Sequence, residues 1–132
     1  MFNVSNMDHL NMNVKNLNES KKFYKKYFNL DVQESGVLHG TPWVIVGRSG
    51  IMFLALYETK EKIEISGVNH FGVHVKNLKK TLPVLQRDKV DFTTWDYDGP
   101  RGRSFAVYLR DPNGYEWELS EFFGGEGNHG KY

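Results

Sequence analysis

A nine-residue stretch occurs twice in this chain, and that repetition limits the folds open to it. His9-Leu10-Asn11-Met12-Asn13-Val14-Lys15-Asn16-Leu17 returns 61 residues later as His70-Phe71-Gly72-Val73-His74-Val75-Lys76-Asn77-Leu78. Five of the nine positions are identical, and Leu10/Phe71 and Met12/Val73 keep apolar character. In both copies apolar and polar residues alternate, the period of a strand with one buried face. Two like modules are therefore expected.

The segments downstream of the two copies are also alike. The first copy leads into Lys21 to Phe28, where Phe23, Tyr24, Tyr27 and Phe28 fall at helical spacing, with Asn18 or Ser20 available as a cap. The second leads into Lys79 to Lys89, with Leu82, Leu85 and Val90 apolar and Pro83 tolerable only in a first turn. Each half then offers three more strands: Asp31 to Val37, Trp43 to Gly47 and Ile51 to Glu58, against Asp91 to Tyr97, Ser104 to Arg110 and Tyr115 to Phe122. Arg48-Ser49-Gly50-Ile51 parallels Pro112-Asn113-Gly114-Tyr115, and Asn113-Gly114 is a tight-turn signal. The expected architecture is α+β: two βαβββ modules, about 7–58 and 68–122, whose sheets form one cup-shaped domain over 1–132. Gly124 to Tyr132 reads as a loose tail.

Strand parity sorts the side chains by face. Leu10, Met12 and Val14 should turn to the helix, leaving His9, Asn11 and Asn13 on the other side. Phe71, Val73 and Val75 do the same in the second copy, leaving His70, Gly72 and His74. In the last strand Tyr115, Trp117 and Leu119 are the apolar set, and Glu116, Glu118 and Ser120 share the opposite face. A lone histidine at a strand start is ordinarily a satisfied polar residue. Two at equivalent repeat positions, with a carboxylate on the strand that should meet them, point to a divalent metal held by His9, His70 and Glu118. Two imidazoles and one carboxylate leave coordination positions open for a substrate. The absence of sulfur ligands favours Fe(II), Mn(II), Zn(II) or Ni(II) over a soft metal, and of these Fe(II) or Mn(II) is the expectation.

Composition removes several classes. The chain contains no cysteine, which excludes disulfides, thiolate metal sites and cysteine nucleophiles. Net charge is only +1, and Lys21, Lys22, Lys25 and Lys26 read as one solvated helix face, so no nucleic-acid footprint stands out. The apolar runs are strand-sized, and Met1-Phe2-Asn3-Val4 lacks the pattern of a signal peptide. A cytoplasmic protein, a homodimer with a small-molecule partner and without nucleic acid or membrane, is the expectation.

On these residues the chain resembles the vicinal oxygen chelate superfamily, which includes glyoxalase I, extradiol dioxygenases, fosfomycin-resistance enzymes and bleomycin-binding proteins. The resemblance runs from about Met7 to Phe122. It is carried by Asp8-His9-Leu10 with its following helix, Asn69-His70-Phe71, and Asp111-Pro112-Asn113-Gly114-Tyr115-Glu116-Trp117-Glu118-Leu119. The Asp-Pro-x-Gly turn leading to a glutamate is its most specific part. The resemblance places His9, His70 and Glu118 on metal positions. It implies a metal chelated by two adjacent substrate oxygens that acts as Lewis acid or activates dioxygen. Glyoxalase I carries a further carboxylate on the strand equivalent to Ile51 to Glu58. Aligning Gly50 with Gly114 sets Leu54 opposite Glu118, and leucine neither binds metal nor abstracts a proton. The run Val107-Tyr108-Leu109-Arg110-Asp111-Pro112 resembles the extradiol pattern, although Gly99-Pro100-Arg101 lacks that family's acid/base histidine. The C-terminal segment of fosfomycin-inactivating enzymes has no counterpart in Ser120 to Tyr132.

The expected function is a metal-dependent enzyme acting on a small substrate with vicinal oxygens. Dioxygenase-like chemistry is preferred over lyase or thiol-transfer chemistry, and the competing class is a sequestering protein for a drug or metabolite. His74 and Tyr108 are the candidate proton-transfer groups. Asn13, Leu54, Arg101 and Arg103 are candidates to contact substrate, with Trp43, Trp95 and Tyr97 as an aromatic wall.

Overall fold

The computed structural model describes residues 1–3, 7–65, 67–99 and 102–121, with only the backbone of 97–99 and 102–104. The chain divides into two compact units, Met1–Glu64 and Ile65–Tyr132. The first holds strand β1 (Leu10–Val14), helix α1 (Leu17–Phe28) and strands β2 (Asp31–Leu38), β3 (Thr41–Arg48) and β4 (Met52–Glu58). The second holds β5 (Phe71–His74), a 3₁₀ turn (Leu78–Thr81), α2 (Leu82–Arg87), β6 (Phe92–Gly99), β7 (Gly102–Arg110) and β8 (Glu116–Ser120). Each unit is one four-stranded mixed sheet, in the orders β1-β4-β3-β2 and β5-β8-β7-β6, so the expected pair of like α+β modules is present.

Helix α1 begins earlier than its apolar spacing suggested. Asn16, not Asn18 or Ser20, caps it: its backbone is extended, and its side chain accepts from the Glu19 amide at 3.0 Å. Ser20 is instead buried beside Tyr24 on the face turned to the sheet. The continuous helix expected over Lys79 to Lys89 is broken into the 3₁₀ turn and α2, because Pro83 fits only within a first helical turn.

A carboxylate at the end of each last strand ties sheet to helix. Glu58 Oε2 accepts from the Leu17 amide at 2.9 Å, and Glu121 Oε1 accepts from the Leu78 amide at 2.6 Å. Both occupy an amide that a helix N-terminus leaves without an internal partner, and both place negative charge where the helix dipole favours it.

The strand register corrects the repeat alignment. β1 pairs with β4 as Leu10↔Leu54 and Asn11↔Ala55, whereas β5 pairs with β8 as Phe71↔Trp117 and Gly72↔Glu118. The counterpart of Glu118 is therefore Ala55, and that of Leu54 is Trp117. Aligning Gly50 with Gly114 was wrong by one residue, and one residue turns a strand side chain to the other face. The cause lies in the turns. Arg48 pairs directly with Met52 around a tight turn. Between Arg110 and Glu116, Asp111 Oδ1 instead accepts from the amides of Asn113 at 2.8 Å and Tyr115 at 2.9 Å. Five residues separate Arg110 from Glu116, as five separate the equivalent Gly47 and Phe53, but the positive-φ glycine is the fourth of them here and the third, Gly50, in the first module. Gly114 takes the positive φ of 90° that the loop needs.

Leu54 is wholly buried on the helix side of its sheet, with Met12, Val14, Val44, Val46 and Leu56. Trp117, Leu109, Val107, Leu119, Leu78 and Leu85 form the corresponding layer of the second module. Each such side chain contributes roughly 1.5–3 kcal/mol by leaving water. Asn11, Asn13, Gly72 and Glu118 fall by register on the face away from the helix, hereafter the far face. Among the described residues no helix is long and apolar enough to cross a membrane.

Candidate metal centre

Two of the three expected ligands meet in the second module. His70 stands just before β5 and Glu118 lies mid-way along the neighbouring β8, so the parallel pairing of the two strands brings their side chains together. His70 Nε2 lies 2.8 Å from Glu118 Oε2, and both side chains are partly exposed. Two donors each about 2.1 Å from one metal ion sit roughly 3 Å apart when their bonds are near perpendicular. The observed separation lies in the range that two ligands of one ion span, and it is also that of a direct imidazole–carboxylate contact. His9 belongs to the first module, just ahead of β1. Within neither module do three His, Asp or Glu side chains converge, among the described residues.

Each histidine is oriented by the residue before it. His9 Nδ1 lies 2.5 Å from Asp8 Oδ2, and His70 Nδ1 lies 2.7 Å from Asn69 Oδ1. A carboxylate and an amide oxygen only accept, so the tautomer with its hydrogen on Nδ1 suits both contacts, and Nε2 is the ring nitrogen that would meet a ligand. Metal-binding histidines characteristically donate their other N–H to such an oxygen. Sequence reading included Asp8 and Asn69 in the motifs but assigned them no role. The available signal was an Asp or Asn directly before the histidine in both repeats.

Tyr108 completes the cluster. It pairs with Glu118 across the β7–β8 ladder and donates its hydroxyl hydrogen to that carboxylate. Its ring meets the His70 imidazole edge to face, 5.6 Å between centroids and 85° between planes. Burial raises the phenol above the ordinary tyrosine value of 10.0, and the charge and hydrogen-bond acceptance of Glu118 raise it further. Tyr108 is thus a proton donor at neutral pH. Arg110 Nε lies 3.5 Å from Glu116 Oε2 on the next row of the ladder.

The other candidates separate. His74 is exposed on the far face at the end of β5, opposite Ser120. Asn13 is exposed on the far face of the first module, opposite Tyr57. Leu54, buried on the helix side, does not reach its far face. Arg101 lies outside the described residues. Arg103 lies in β7 opposite Asp98, with its side chain outside the described residues. The same holds for the side chain of Tyr97, whereas Trp43 and Trp95 lie on β3 and β6.

The family model for glyoxalase/bleomycin resistance protein/dioxygenase proteins matches residues 6–119. The chain belongs to that superfamily. Solved structures of like fold include a glyoxylase/bleomycin resistance protein/dioxygenase domain from Frankia sp. EAN1pec. It is 18% identical, with a TM-score of 0.74 over 94% of this chain and 96% of that one. The fosfomycin resistance protein FosX from Listeria monocytogenes is 17% identical, with a TM-score of 0.73 over 89% of this chain and 94% of its own. A mutant of that protein, solved with Mn(II) and 1S,2S-dihydroxypropylphosphonic acid, is 16% identical, with a TM-score of 0.72 over 91% and 94%. At these identities the likeness establishes the superfamily fold. No curated protein matches the chain.

Proposed function

We propose that this superfamily member is a divalent-metal-dependent enzyme acting on a small substrate with two adjacent oxygens, its ion held by His9, His70 and Glu118. The observation that carries this reading is the His70–Glu118 pair at 2.8 Å, with Asn69 on the far nitrogen of the imidazole. Mn(II) with a vicinal diol in the FosX mutant structure supports the same class of ion and ligand. When bound, a divalent ion supplies Lewis-acid polarisation of substrate oxygens.

This chain's own residues supply the rest. Asn69 and Asp8 fix the imidazoles, and Glu118 contributes an anionic oxygen. Tyr108, kept protonated, can give a proton to an oxygen that gains charge in the reaction. A polar reaction, an addition or a ring opening, suits a neutral phenol beside the ligands better than dioxygen chemistry does. The oxidative reading rests only on the sequence pattern ahead of Glu118.

The test is Mn(II) titration by calorimetry on protein purified without chelators. One ion per chain is expected. His70→Ala and Glu118→Ala should each lose binding while melting as cooperatively as wild type. Full occupancy in both variants overturns the assignment.

A further inference from the structure

Helix α1 bears Lys21, Lys22, Lys25 and Lys26, two adjacent pairs one helical turn apart, with Glu19 as its single acidic residue. Lysines three and four apart repel one another, so the stripe disfavours the helix that carries it. The fold nevertheless gathers all four. With Asn18, Leu30, Asp31 and Val32 they line an open groove of 640 Å³ where the chain passes from α1 into β2. Asp31 is the one carboxylate among these lining residues, and it lies 2.6 Å from Lys25 Nζ. Lys26 Nζ lies 5.2 Å from the centre of the Tyr27 ring. Among the described residues no carboxylate pairs with Lys21 or Lys22. The groove thus sets four ammonium groups against one carboxylate, and Val32, more than half exposed, adds an apolar surface beside them. The second module has no such stripe: the six residues of α2 include one cation, Arg87.

We propose that this groove binds a small molecule that carries several linked phosphate groups and an apolar portion, a ligand of the class of a nucleoside triphosphate. The site stands apart from the metal reading and does not rest on it. A single exposed lysine–anion pair contributes little, because water and salt screen it. Four ammonium groups within two turns act together on one ligand when its charges are also close together, as they are along a phosphate chain. Lysine suits phosphate as a compact point charge that needs no fixed orientation. A groove within the about 300–1,000 Å³ of small-molecule sites favours a compact ligand over a flat lipid surface. Leu30 and Val32 offer an apolar contact that a bare anion leaves unused. Bound negative charge also relieves the repulsion along α1, so the ligand should stabilise the fold.

Four probes test the assignment: inorganic triphosphate, adenosine triphosphate, a glutamate-rich peptide, and vesicles containing phosphatidylserine. Binding is read by calorimetry, by cosedimentation for the vesicles, and by thermal melts. Wild type should bind both phosphate compounds, the nucleotide about threefold more tightly. Both should raise the melting temperature, and the effect should fade at high salt. Lys21→Gln with Lys22→Gln should weaken triphosphate binding about tenfold. Lys79→Gln with Lys80→Gln, which removes the same charge from the second module, should leave it unchanged. Val32→Ser should erase the advantage of the nucleotide. Linked phosphates also chelate divalent ions, so the titrations are repeated on Glu118→Ala protein: binding kept there supports the groove, and binding lost there overturns it. Equal losses in the two lysine double variants would mean net charge and overturn the site. Tighter binding of the peptide or the vesicles than of the nucleotide, lost with Lys21 and Lys22, overturns the small-molecule reading. Equal affinity for triphosphate and the nucleotide overturns the apolar half, and no binding of any probe overturns the whole.

Discussion

The two modules share a skeleton and differ in what they put on it. Both have the histidine before the first strand, the Asp or Asn in front of it, the parallel pairing of first and last strands, and the glutamate on the helix amide. At the place of Glu118 the first module has Ala55, at that of Tyr108 it has Ile45, and at those of Ala106 and Ser120 it has Trp43 and Tyr57. Parts that hold the fold are duplicated. Parts that face away from the helix have diverged, one toward ionisable groups and the other toward flat rings. A far-face side chain has no layer of its own helix to fit, so it is freer to change than Leu54 or Trp117.

The largest effect is expected where the register itself is challenged. Leu54→Ala and Trp117→Ala remove equivalent, fully buried side chains and should each cost about 3–5 kcal/mol. Leu54→Glu should be at least as damaging, since it places a carboxylate in the apolar layer, and Mn(II) should not rescue it. Thermal melts with and without the ion decide the matter. A Leu54→Glu protein that metal restores to the wild-type melting temperature would return Leu54 to the ligand side and undo the Ala55–Glu118 equivalence.

Next in size is the orientation of the histidines. Asn69→Ala should weaken Mn(II) binding by about 10- to 100-fold, and Asn69→Asp should restore most of it. Asp8→Ala and Asp8→Asn should form a matching pair. Nitrogen-detected NMR of the imidazoles gives a reading independent of affinity, because loss of the acceptor frees Nδ1 and mixes the tautomers. If Asn69→Ala binds the ion as wild type does, the shared Asp/Asn-His pair is a turn feature and not a support for the ligand.

How far the sequence disclosed these features depends on the kind of information each requires. The repeat, the strand alternation and the pairing of His70 with Glu118 rest on local pattern and parity, and all three were legible. The start of α1 was missed because Asn16, Asn18 and Ser20 are all competent caps, and only Asn16 has the extended backbone with its side chain over the Glu19 amide. The Leu54 alignment failed because a matched glycine does not guarantee a matched turn. The Asp111 carboxylate, invisible to a glycine count, draws the amides of Asn113 and Tyr115, and the glycine falls one place later in a loop of the same length. Glu58 carries no local signal of its role, since its contact with Leu17 joins residues 41 apart.

That glutamate and its counterpart offer a direct comparison of the two skeletons. Glu58→Gln and Glu121→Gln keep an acceptor but lose the charge, and should cost roughly a few tenths of a kcal/mol. Glu58→Ala and Glu121→Ala leave the amide without its partner and should cost about 1 kcal/mol each. The costs should be alike in the two modules, as read from urea unfolding. A large cost at one glutamate and none at the other would show that the shared hydrogen bond does unequal structural service.

At neutral pH the smallest effect belongs to Tyr108, which has only Ile45 as its counterpart. Its phenol is raised above 10.0 in the folded chain, first by burial and then by Glu118. In the unfolded chain it loses its proton near the ordinary value. Below that value both states keep the proton, and the residue adds no pH dependence. As pH climbs through the interval between the unfolded and the raised folded pKa, the unfolded state sheds its proton first. The folded state then loses stability relative to it, at a slope of up to about 1.4 kcal/mol per pH unit. Tyr108→Phe should lack this part of the alkaline decline, while a Phe replacing an exposed tyrosine should not differ from wild type. Glu118→Gln sharpens the point. It removes the charge but not the burial, so if burial is the larger cause the phenol should keep most of its upward displacement, visible in the tyrosinate absorbance of the folded protein. A phenol that returns fully to the ordinary value in Glu118→Gln would make the carboxylate the dominant cause, and Tyr108 would then report on the ligand pair and not on its own burial.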